Sequence, residues 1–236
     1  MENIRFKVGN REVELDIQKQ ELKYKDKVFT ASVRSFGDMK TMYKKEDYSD
    51  NTPMYLMFRE VYFDDKDLAL YREKNIRYDI TVLMPNKVAG EYNKTYGHFH
   101  TENKTGEKYN EIYEVLDGEA IYLLQDDKNY FYKSVASEQA YEMKHYGHVS
   151  SNKLEKPLVM ANLVSNEFMS EYGDYGENKG AIIYLSGDEN NITEEKNPNY
   201  KNNLEKTDAH NLYKADKGNI YDDFLDNSEK YFKILN

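Results

Sequence analysis

The sequence predicts an antiparallel all-β barrel or sandwich, and three observations carry that reading. Short stretches alternate apolar and polar side chains, the two-residue period of a strand with one face in a core. Turn formers such as Asp117-Gly118, Asp126-Asp127 and Asn152-Lys153 recur between them. Few helix-period segments intervene, so parallel crossovers are not expected.

Taken in order, residues 5–33 alternate in Phe6-Lys7-Val8 and in Val13-Glu14-Leu15-Asp16-Ile17, with Gly9-Asn10 as a turn, and read as hairpins. Around residues 34–52 the pattern weakens into loop or a short helix. Residues 53–63 are rich in aromatic and aliphatic side chains and suit a well-buried strand, and Tyr78 to Met84 is another, stopped by Pro85-Asn86. Further strands are expected at 91–96, 97–101, 111–116, 119–125, 130–135, 139–143, 159–164 and 181–185. After Gly187 the composition turns polar. Residues 188–217 are mostly charged or amide, with Pro198, and read as linker or surface loop. Ile220, Tyr221, Phe224, Leu225, Phe232 and Leu235 then recur at roughly helical intervals, with Ser228 as a candidate cap. The chain thus divides into a main domain over 1–187, with its N-terminal strands, and an extension over 188–236 expected to cover a sheet edge or a dimer seam.

Composition narrows the function classes. The 236 residues carry 33 Lys+Arg against 43 Asp+Glu, a net charge of −10. That balance disfavours nucleic acid or an anionic membrane as partner, and requires that any anionic ligand be held by local donors. The absence of cysteine removes disulfides and thiolate nucleophiles and leaves a metal to nitrogen and oxygen ligands. No apolar run approaches the roughly 18–20 residues of a membrane span. Met1-Glu2-Asn3-Ile4-Arg5 lacks the apolar stretch of a signal peptide, so a soluble cytoplasmic protein is expected.

Four of the five histidines lie between positions 98 and 148. In a strand the two imidazoles of His98-Phe99-His100 point the same way and can grip one ion. A carboxylate from the next strand and an imidazole from a later one would complete three histidines and one carboxylate, a set suited to a borderline divalent ion. Glu111, on a strand ending at Asp117-Gly118, is the favoured carboxylate. Glu107 competes because it is nearer His100 in sequence, whereas Glu114 would face the other side of the strand. His145 is expected to be a neighbour and His210 a solvated residue of the polar tail.

Gly97-His98-Phe99-His100, Glu111 followed after six residues by Gly118, and His148 followed after three by Asn152 resemble the two motifs of the cupin superfamily. The surroundings are more specific. Thr81-Val82-Leu83-Met84-Pro85, Glu91, Thr95-Tyr96-Gly97 before the histidines, and Glu111-Ile112-Tyr113 resemble the signature of the archaeal-type, or cupin, glucose-6-phosphate isomerases. The likeness runs over roughly residues 30–185, from Ser32-Val33-Arg34 and Asp38-Met39 to Leu123-Leu124-Gln125 and Asp174-Tyr175-Gly176. Four departures stand out. The stretch from His100 to Glu111 is lengthened around Thr105-Gly106-Glu107, and the glycine of Ala89-Gly90-Glu91 is shifted by one. Met143-Lys144-His145-Tyr146-Gly147 replaces a proline-rich approach to the last histidine, and Gly173 stands where the family has a histidine.

The resemblance implies a cupin fold, a double-stranded β-helix or jelly-roll barrel, with a polar and helical C-terminal extension. It implies a divalent metal ion (Fe, Ni, Zn, Mn or Co) held by His98, His100, Glu111 and His148. It also implies interconversion of glucose 6-phosphate and fructose 6-phosphate, a step of glycolysis and gluconeogenesis. Thr81, Thr95 and the backbone of Gly97 would clamp the phosphate, Glu111 would be a ligand or also the proton carrier, and Tyr113 would orient the sugar. Tyr175 and Tyr55 are further substrate-binding candidates, and a homodimer is the implied assembly. The rivals are another sugar-phosphate isomerase or epimerase of the cupin type, and a non-catalytic cupin that binds metal and sugar.

Overall fold

Two curled β-sheets face each other, and the candidate site lies between them. They are seen in a computed structural model that describes residues 3–201, 203–208 and 212–236. His210 lies outside the described residues. The first sheet runs, in spatial order, Leu212–Tyr213, Ala140–Glu142, Glu111–Asp117, Leu158–Ser165, Ile76–Leu83, Pro53–Phe58 and Ser32–Ser35. The second runs Ile192–Lys196, Ile183–Gly187, Glu91–Lys94, Gly147–Asn152, Glu119–Gln125, Asn129–Ala136 and Glu205–Lys206, with Lys87–Val88 beside Glu91–Lys94. This is the all-β, two-sheet architecture that the strand pattern predicts.

One core fills the space between the sheets, joining Tyr55, Leu83, Val115 and Met160 of the first to Leu123, Val149 and Ile183 of the second. A second core covers the outer face of the first sheet. There Leu56, Ile80, Ile112 and Leu163 meet the N-terminal sheet (Ile4–Val8, Arg11–Asp16, Glu21–Tyr24 and Lys27–Thr30) and the C-terminal helices. Leu158–Ser165 is therefore buried at every position, with alternate residues serving alternate cores.

Three local differences from expectation have physical reasons. The helix Asp65–Glu73 was not anticipated, because it buries only Tyr71 and has no apolar stripe. Its start is nevertheless written in Asp64 and Asp67, which form a reciprocal capping box. The polar stretch after Gly187 is not a linker. Ile192–Lys196 pairs with Ile183–Gly187, while Glu205–Lys206 and Leu212–Tyr213 extend the two sheets as short edge strands. Ser228 is the first residue of the helix Ser228–Leu235 rather than its cap. The capping side chain belongs to the preceding helix, Ile220–Asp226, where Asn219 Oδ1 accepts from Asp222 N at 2.8 Å. No helix among the described residues is long and apolar enough to cross a membrane.

Candidate metal centre

Strand register brings the polar residues of the first sheet onto its inner face. Tyr113 lies opposite Asn162, and Asn162 opposite Asp79. Glu111, two residues before Tyr113, shares that face, and Thr81 lies in the next row beside Met160 and Met57. The second sheet contributes His148 from Gly147–Asn152, a strand whose six residues are all buried. That strand shows no apolar alternation in the sequence, because Val149 is its only β-branched apolar residue. Backbone pairing then joins His98 directly to His148, with N···O separations of 3.4 and 3.1 Å. Phe99 points the other way and rests on Gly147, where a Cβ would come within 2.6 Å of the ring. Glycine at 147 thus lets Phe99 pack while His98 and His100 turn inward.

The nitrogens of His98, His100 and His148 and a carboxylate oxygen of Glu111 all lie within 4.8 Å of one another. Glu111 Oε2 is 3.2 Å from Nε2 of His100 and 3.2 Å from Nε2 of His148, without hydrogen-bond alignment in either case. Nε2 of all three imidazoles and Glu111 Oε2 are buried polar atoms with no hydrogen-bond partner. Left so, each would cost about 1–3 kcal/mol. For two of the imidazoles the opposite edge is held: His100 Nδ1 pairs with the Tyr109 carbonyl at 2.7 Å and His98 Nδ1 with the Tyr96 carbonyl at 3.3 Å, whereas His148 Nδ1 is also without a hydrogen-bond partner among the described residues. Asn162 Nδ2 donates to Glu111 Oε1 at 2.6 Å and leaves Oε2 free. Converging imidazole nitrogens and a carboxylate oxygen, buried and without hydrogen-bond partners among the described residues, are the donor set a divalent ion requires, so these four residues fit a metal.

Protonation agrees with that fit. Burial pushes the His98 imidazole well below its usual range, and the neighbouring imidazoles push it further. Burial likewise lowers His148, so both imidazoles favour the neutral form at neutral pH. At Glu111 burial works toward the neutral acid, but contact with His100 and His148 outweighs it and holds the carboxyl well below the usual range. Tyr113 is raised well above its usual value, by burial and then by the Glu111 charge, and keeps its proton.

The cavity beside the cluster measures about 50 Å³, and His98, Glu111, Thr81, Thr95, Tyr55 and Tyr113 are in its wall. Gly97 and Tyr175 are not. Tyr175 is fully buried with its ring on Gly97, where a Cβ would approach to 2.3 Å, so this pair is packed structure rather than cavity lining. Tyr172 lines the cavity instead. Glu107 is exposed, His145 is exposed and rests on Tyr146, and Glu114 faces the outer core. The site also contains residues that sequence reasoning passed over, namely Asn162, Arg34 and Arg59. Asn162 has a visible signal, a lone amide in the apolar run Leu158–Val164.

Fold and site together define a two-sheet β-barrel whose interior presents three imidazoles and a carboxylate able to hold a metal ion. A family model described as glucose-6-phosphate isomerase (GPI) matches residues 33–202, and the chain belongs to that family of isomerases. It is similar to the glucose-6-phosphate isomerase of Thermococcus litoralis, at 25% identity over 177 residues, or 72% of this chain and 87% of that one. Among solved structures it is similar to vicilin from Corylus avellana, with 12% identity, a TM-score of 0.41, and coverage of 61% of this chain and 35% of that one. It is also similar to oxalate decarboxylase from Bacillus subtilis, with 14% identity, a TM-score of 0.37, and coverage of 49% and 28%. The chain thus spans about a third of the length of these two structures.

Proposed function

We propose that the protein interconverts glucose 6-phosphate and fructose 6-phosphate by proton transfer through an enediol, with His98, His100, Glu111 and His148 holding a divalent metal ion. The observation that carries this reading is the set of buried, unpartnered imidazole nitrogens and a carboxylate oxygen converging beside a cavity walled by Thr81, Thr95 and Tyr113. When bound, the ion would supply electrophilic stabilisation of the oxyanion that develops during proton transfer. Glu111, ionised and held at Oε1 by Asn162, takes the proton from C2 and returns it to C1, while the O2 hydrogen passes to O1. Tyr113, kept protonated, donates to a sugar oxygen and orients it. Thr95 Oγ1 already accepts from Ser150 N at 3.0 Å, so its own O–H is free to donate to phosphate beside Thr81.

At about 50 Å³ the cavity is far smaller than the ~300–1,000 Å³ of typical ligand sites. Admission of a hexose phosphate therefore requires Phe168, Ser170 and Tyr172, which form part of its wall, to withdraw.

A coupled assay for glucose 6-phosphate formation from fructose 6-phosphate, with and without chelator, tests the reading. Turnover lost on chelation and restored by added divalent metal is expected. Turnover in deuterated water should carry solvent deuterium into the product, and complete retention of the migrating hydrogen would replace proton transfer by hydride shift. Metal and sugar phosphate bound without turnover would replace the isomerase by a binding module.

A further inference from the structure

The phosphate contacts assigned above are neutral donors, and that leaves a charge unanswered. A phosphate monoester carries about −1.5 to −2 at neutral pH, and the protein's own net charge is −10. A local cation is needed to hold such a group here.

Two guanidiniums line the cavity, those of Arg34 and Arg59, and they differ in what they already hold. Arg59 Nη1 donates to Asp79 Oδ2 at 2.5 Å. Asp79 is buried and also accepts from Arg77 Nε at 2.8 Å and from Glu60 N at 2.9 Å. Arg34 has no carboxylate within ion-pair reach among the described residues. The nearby Asp38 carboxylate is engaged by Ser35 N and Oγ at 2.9 and 2.8 Å. Arg34 is half-buried, pairs across the strands with Tyr55, and lies 5.9 Å from the Tyr96 ring centroid. Tyr96 N in turn donates to the Tyr55 hydroxyl at 3.3 Å. A guanidinium fixed among aromatic rings, facing a cavity and lacking a counter-ion, has the planar donor fork that matches phosphate oxygens.

Resting on the isomerase reading, we propose that Arg34 is the charged determinant of phosphate recognition and places the phosphate at the Arg34–Tyr55 end of the cavity. The reacting carbons then lie toward Glu111 and Tyr113, with Arg59 flanking that end. Specificity for a phosphorylated over a free sugar follows from this one side chain.

The test uses full-length, metal-loaded protein carrying Arg34→Gln or Arg34→Lys. With Gln, KM for fructose 6-phosphate should rise about 10- to 100-fold, as expected for a lost charge-assisted hydrogen bond, while kcat changes far less. The affinity for inorganic phosphate, read by calorimetry, should fall by a similar factor. Lys should recover part of both, and metal content should equal that of the parent. Active parent enzyme with KM and phosphate affinity unchanged in both variants would overturn the role of Arg34 and leave the isomerase reading standing. An inactive parent whose phosphate affinity is lost with Gln and partly restored with Lys would support the anion site while overturning the isomerase reading. Because calorimetry needs no turnover, the two failures are distinguishable.

Discussion

Glu111 and Glu114 sit on the same strand, Glu111–Asp117, and are equally buried, each 3% exposed, yet they face opposite cores. Glu111 looks between the sheets, where His100, His148 and the Asn162 amide keep it ionised. Glu114 looks outward to the C-terminal helices, where, among the described residues, its carboxylate accepts from Ile220 N at 3.2 Å alone and Asp222 and Glu138 add repulsion. Its carboxyl is pushed up to about 7, chiefly by burial. Equal burial gives opposite shifts, below the usual carboxylate range at Glu111 and above it at Glu114, so the partners decide. The inner glutamate is the one that faces the imidazoles; the outer one is a contact for the C-terminal helices.

Glu111→Gln is the largest expected break in this contrast. It keeps the shape of the side chain and removes the charge that the imidazoles stabilise. Bound metal, read by elemental analysis, should fall together with turnover, the latter by about 10²- to 10⁴-fold. Should Glu111→Gln keep both while Glu107→Gln loses both, the carboxylate ligand would be Glu107 after all.

Glu114→Gln should act on stability and its pH dependence. The folded carboxyl titrates at about 7 against 4.5 when unfolded. The folded state therefore holds its proton more tightly, and stability is greatest below about 4.5 and declines as pH rises through 7. The gap corresponds to about 3 kcal/mol of destabilisation at pH 8. Glutamine still accepts from Ile220 N but never ionises. The variant should match the parent in urea unfolding at pH 4.5 and exceed it by about 2–3 kcal/mol at pH 8. Equal stabilities at pH 8 would mean that water reaches Glu114 and lowers its pKa.

Legibility in the sequence followed the same two-face logic. Where one face met a core and the other met solvent, alternation exposed the strand, as in Arg11–Asp16. Where both faces were buried the period vanished, and composition had to substitute, as in Leu158–Ser165. Gly147–Asn152 escaped both signals, because its buried Ser150, Ser151 and Asn152 are polar. Asn152 there is a structural pin, donating to the Lys156 carbonyl at 2.8 Å and accepting from Leu154 N at 3.0 Å. The histidines and Glu111 were legible because a set able to hold a metal ion draws on few residue types at restricted spacings. Arg34, Arg59 and Asn162 were not, since arginine and asparagine are common and only strand pairing across long separations brings these three to the cavity.

Asn162→Ala should give the smallest effect, and it tests whether the two faces are independent. The amide fixes Glu111 through a 2.6 Å bond to Oε1, so its loss leaves the carboxylate free to rotate and Oε1 unsatisfied. Metal affinity should drop about 10- to 100-fold, the usual cost of losing a ligand's supporting hydrogen bond. Glu114 lies opposite Ala161, the neighbour of Asn162 in the chain, but on the other face of the sheet. If the backbone between them is rigid, the Glu114→Gln and Asn162→Ala effects on unfolding at pH 8 should add within about 0.5 kcal/mol. A larger coupling would mean that helix docking outside the barrel shifts the strand that positions Glu111. The C-terminal helices would then act on the candidate metal site as well as on the sheet face they cover.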